Sequence, residues 1–93
     1  MMPRQDQIID AVMARALQAD AVRTRPLLAW VVMRDEAEYP GEFVARLLTD
    51  APTPYVLLAD TLAGLRAQLP TDLVRSDRQP ADPPGVVEVW FSV

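Results

Sequence analysis

The sequence predicts a small single α+β domain, ordered α-β-β-β-α-β, with a mixed or antiparallel sheet covered by helices on one face. Three stretches predict it. Pro54 to Pro70, PYVLLADTLAGLRAQLP, reads as a buried strand, Tyr55 to Ala59, running straight into a short helix, Thr61 to Leu69. Leu27 to Met33, LLAWVVM, is apolar on both faces, as expected of a central strand or one at a dimer seam. Val86 to Phe91, VVEVWF, is the last strand. With 93 residues, of which 51% are apolar, the chain can bury one core and not two. The domain therefore spans 1–93, with a helix within 1–21 and a sheet-plus-helix body over 27–93.

Taken in order, Pro3 to about Ala21 is helical, since proline suits a first helical turn and the alanines favour the helix. Ile8, Ile9, Val12, Met13, Ala16 and Leu17 recur at the helical period and form its apolar stripe. That narrow stripe leans on the sheet or pairs with a second copy. Val22 to Pro26 is a linker, and Trp30 is the largest core residue of the strand that follows. Arg34 to Gly41, RDEAEYPG, is a polar turn broken by Pro40-Gly41. Phe43 to Thr49 fits both periods, but close bracketing by turn residues favours a strand over a helix.

Asp60 is placed to cap the second helix, whose Leu62, Leu65 and Leu69 share one face. Pro70 stops it. Gly64 implies close approach of that helix to the strands. Leu73-Val74-Arg75 forms a short edge strand, and SDRQPADPPG is an extended surface loop. In the last strand Val87, Val89 and Phe91 are expected to face the core, with Val86, Glu88 and Trp90 opposite.

The segments WVVMRD, FVARLLTDAPTPYVLLADTL, RAQLP, LVRSDRQPADPP and VVEVWF, about two thirds of the chain, resemble a group of short uncharacterised bacterial proteins. The resemblance is one of segment pattern and implies no activity.

Composition excludes more than it assigns. There is no cysteine, hence no disulfide, thiolate metal site or thiol nucleophile, and no histidine, the commonest general base and zinc ligand. Ser76 and Ser92 have no histidine or lysine to activate them, and the three glycines are isolated rather than grouped in a phosphate loop. No cofactor and no metal is implied, and the class expected is non-enzymatic. No apolar run reaches the ~20 residues of a membrane span, and Asp6 and Asp10 argue against a signal peptide, so a cytoplasmic protein is expected.

All nine cationic side chains are arginine. The net charge of −4 is uneven: residues 1–34 carry +2, residues 35–60 carry −5 and residues 61–93 carry −1. Direct nucleic-acid binding is disfavoured by an acidic chain with few aromatics. The acidic turn, with Asp35, Glu36, Glu38, Tyr39 and Glu42, is the candidate interaction surface, joined by Trp90 if that side chain faces outward. Its spacing matches no calcium loop. Glu88, between two valines, is expected to pair with Arg46 if their strands are neighbours. These features fit a protein-interaction or regulatory module, partnered by a second copy in a homodimer or by another protein. The alternatives are an acidic inhibitor of a nucleic-acid-binding protein and a small enzyme using carboxylates.

Overall fold

In the computed structural model, which describes residues 6–24, 28–34, 36–50 and 52–92, eight elements follow one another. They are β1 (Gln7–Ile8), α1 (Ala11–Thr24), β2 (Ala29–Arg34), β3 (Phe43–Leu48), β4 (Pro52–Ala59), α2 (Leu62–Gln68), β5 (Leu73–Asp77) and β6 (Val86–Ser92). The strands form one sheet in the order β1-β4-β3-β2-β6-β5. Only β1–β4 is parallel. The domain is therefore α+β with a mixed sheet, and a two-residue strand precedes the expected α-β-β-β-α-β order.

β4, β3 and β2 stand at the middle of the sheet, each hydrogen-bonded on both edges, and carry most of its buried side chains. Phe43–Leu48 is a strand. It is enclosed between Gly41, whose φ of 78° closes the turn before it, and the bulge where Thr53 Oγ1 donates to the Leu47 carbonyl at 2.6 Å. One face of the sheet carries the row Leu57–Ala45–Val32–Glu88–Asp77, with Leu47, Trp30 and Trp90 one row along. Against it pack Ala14 and Leu17 of α1 and Leu62 and Leu65 of α2, forming the main core. The opposite face carries the row Ile8–Val56–Arg46–Val31–Val89–Ser76 across all six strands.

Four expectations are corrected. The first helix begins at Ala11, not in its expected first turn at Pro3, which lies outside the described residues. Asp10 caps it, accepting the Met13 amide at 2.9 Å, and β-branched Ile8 pairs with Val56 instead. Thr61, not Asp60, caps α2, its hydroxyl accepting the Gly64 amide at 3.0 Å. Space at Gly64 is taken by that cap: a Cβ would lie 2.9 Å from Thr61 Oγ1 and only at ordinary distance, 3.6 Å, from Ala59 of β4. In β6 it is Glu88 and Trp90 that share the face of Trp30, while Val89 and Phe91 lie on the far face. Glu88 tolerates the core side because its oxygens find donors there.

Candidate functional site

Two ion-pair networks, one largely buried and one of exposed arginines around a buried glutamate, organise the polar groups of the sheet. Arg46 stands mid-sheet on the far face, between Val31 and Val56 in the rows of its neighbours. A buried guanidinium needs compensating charge. It gets two carboxylates. Nε and Nη2 donate to Glu36 at 2.8 and 2.7 Å, and Nη1 and Nη2 donate to Asp6 at 2.8 and 2.9 Å. The Tyr39 hydroxyl donates to Asp6 at 3.0 Å. Arg46 holds the Asp6 carboxyl below its ordinary range against the opposing effect of burial. Burial, then the Asp6 charge, pushes the Tyr39 phenol up.

The second network lies on the helix side. Glu88, its side chain 3% exposed, accepts from Arg66 Nη2 of α2 at 2.6 Å, from Arg66 Nε at 3.0 Å and from the Trp90 indole at 2.6 Å. Arg75 of β5 approaches at 4.0 Å. The Arg66 hydrogen bonds hold Glu88 below the usual carboxylate range. The expected Glu88–Arg46 pair does not form, because β2 separates β6 from β3 and the two side chains leave opposite faces.

The acidic turn is thus divided. Glu36 is engaged with Arg46 and Tyr39 with Asp6, Glu38 is exposed, Glu42 is half-buried, and Asp35 lies outside the described residues. Trp90 does not join them. It is half-buried on the helix-side face, hydrogen-bonded to Glu88. Asp6 was missed as a partner of this segment: the first helix was read through it, and its charge sits 40 positions from Arg46.

Asp6 and Glu36 converge on one arginine rather than on an open cleft. Among the described residues, no group of three or more His, Cys, Asp or Glu side chains is placed to hold a metal. No helix among them is long and apolar enough to cross a membrane.

Of the apolar stripe that either leans on the sheet or pairs with a second copy, the fold leaves part exposed as an apolar patch. Ile8 is 59%, Val12 65% and Met13 44% exposed, and exposed Ala16 continues the patch along α1. The helix instead turns Ala14, Leu17 and Ala21 inward. A shallow depression of about 420 Å³, lined by Gln7, Ile8, Ile9, Asp10 and Met13, adjoins the patch. No family model, curated protein or solved structure matches the chain.

Proposed function

We propose that the chain is a non-enzymatic protein-interaction module that docks a partner protein's apolar side chain against Ile8, Val12 and Met13. The exposure of these three residues carries the reading. Ile8 and Met13 line one depression with polar Gln7 and Asp10 at its margin, and exposed Val12 is next to Met13 on α1, the make-up of an interface centre and rim. The α1 stripe supports it too, since the domain uses only the Ala14–Leu17–Ala21 side of the helix for its own core. The two ion-pair networks supply rigidity in this reading rather than chemistry.

The test is the double variant Val12→Glu, Met13→Glu, compared with the unchanged chain in affinity capture. Both positions are exposed, so the fold should survive, as circular dichroism will report. A protein held by the unchanged chain and lost by the variant is the expected result. Identical captured sets would remove this surface from consideration.

A further inference from the structure

The edge of β5 is a second, independent feature of the surface. β5 is terminal in the sheet and pairs only with β6. Its register follows from the ladder. The Ser92 amide donates to Leu28 on the β2 side at 3.1 Å, so Trp90 and Glu88 also address β2. Phe91 and Val89 therefore address β5, through Val74 and Ser76. The backbone groups of Leu73, Arg75 and Asp77 are left pointing outward.

Along that edge the charges alternate. Arg75 and Asp77 project on the same face, 3.5 Å apart, and both are exposed. Asp77 also stands directly opposite Glu88 of β6, an unfavourable like-charge pairing. We infer that β5 pairs antiparallel with β5 of a second copy of this chain, with Ser76 on the two-fold axis. In that register Arg75 of each copy faces Asp77 of the other, and the two residues exchange reciprocal backbone hydrogen bonds through their outward groups. Each Asp77 then has an arginine on the side away from Glu88. A two-fold axis at Arg75 instead sets arginine against arginine, and an axis at Val74 sets Arg75 against Leu73 with Asp77 unmatched. Charge complementarity selects the Ser76 register.

The Asp77 carbonyl accepts from the Gln79 side chain at 3.0 Å and, at a long 3.4 Å, from the Ser76 hydroxyl, which rotates away when the partner's Arg75 amide takes that lone pair. The pairing ends at Gln79, whose own amide is committed to Asp82 at 2.8 Å. Val74, 43% exposed, comes to lie against the stem of the partner's Arg78. Among the described residues the opposite sheet edge offers no equivalent, because β1 has two residues there. This contact leaves the Ile8–Val12–Met13 patch untouched, so the two proposals fail separately.

Light scattering on the full chain decides it. The unchanged protein should approach twice the 10.3 kDa monomer mass as its concentration rises toward millimolar. Asp77→Arg should return it to monomer mass, and adding Arg75→Asp to that variant should restore the dimer. A monomer throughout, an Asp77→Arg variant that still dimerises, or a double variant that stays monomeric would each overturn the register. Amide exchange gives a readout free of variants: the Arg75 and Asp77 amides should gain protection with concentration. Free exchange at those amides in a protein of doubled mass would place the interface elsewhere.

Discussion

At the scale of single residues, the fold depends on how buried charges are matched. Arg46 is the clearest case, with a side chain 11% exposed and its two carboxylate partners 2% and 15% exposed. Removing one member of such a set strands the others. Arg46→Ala should therefore cost about 3–5 kcal/mol, read as a fall in the urea unfolding midpoint. Replacing the set together, as Arg46→Met with Asp6→Asn and Glu36→Gln, should cost distinctly less. Equal losses for the two variants would show that stranding the two carboxylates is not what makes Arg46→Ala costly. Glu88 illustrates how much of this was legible. A glutamate between two valines announces that it needs a donor, but its hydrogen-bonded cation came from α2, 22 positions away, and not from Arg46 of β3. Strand alternation carries no sign of which face is inward. A buried, satisfied carboxylate reverses the assignment that hydrophobicity alone would make.

Among the elements, the longer strands and the span of α2 were readable, and the start of α1, with β1 before it, was not. LLAWVVM and VVEVWF announce themselves by composition, and the turn residues around Phe43–Leu48 fix its length. In α1, by contrast, alanine fits any face, so the sequence left the phase open until Asp10 set the start. The cap of α2 is a test of the same point. Thr61→Ala should cost about 1 kcal/mol, whereas Asp60→Ala, on an exposed neighbour, should cost little. Gly64 couples to it. Alanine there would gain roughly 0.5–1 kcal/mol of helix propensity but push on the Thr61 hydroxyl, 2.9 Å from the new Cβ. Gly64→Ala should thus be near neutral alone and stabilising in the Thr61→Ala background. Additive midpoints across that double-mutant cycle would mean that the cap moves aside without loss.

For the whole molecule, the same charges set the response to pH. Asp6 and Glu88 titrate below their ordinary values in the folded state because arginines hold them ionised. Their contribution is complete above the unfolded carboxylate range, about pH 4–5, and is lost as pH falls through the depressed folded values. Tyr39 works in the opposite direction. Its raised folded value means stability is complete below about pH 10 and falls as pH climbs past it, when the unfolded phenol ionises first. Between these limbs the chain has no histidine and no cysteine to titrate. The urea midpoint should therefore be flat from about pH 5 to 9, dropping on both sides, with the acid limb removed in large part by Glu88→Gln in a chain already weakened by that change. A midpoint that moves between pH 6 and 8 would contradict this account, since it would require a further titrating group, a carboxylate whose folded value is raised or the α-amino group. Such a carboxylate would sit apart from both arginine networks, because each network favours the ionised form of the acid it holds.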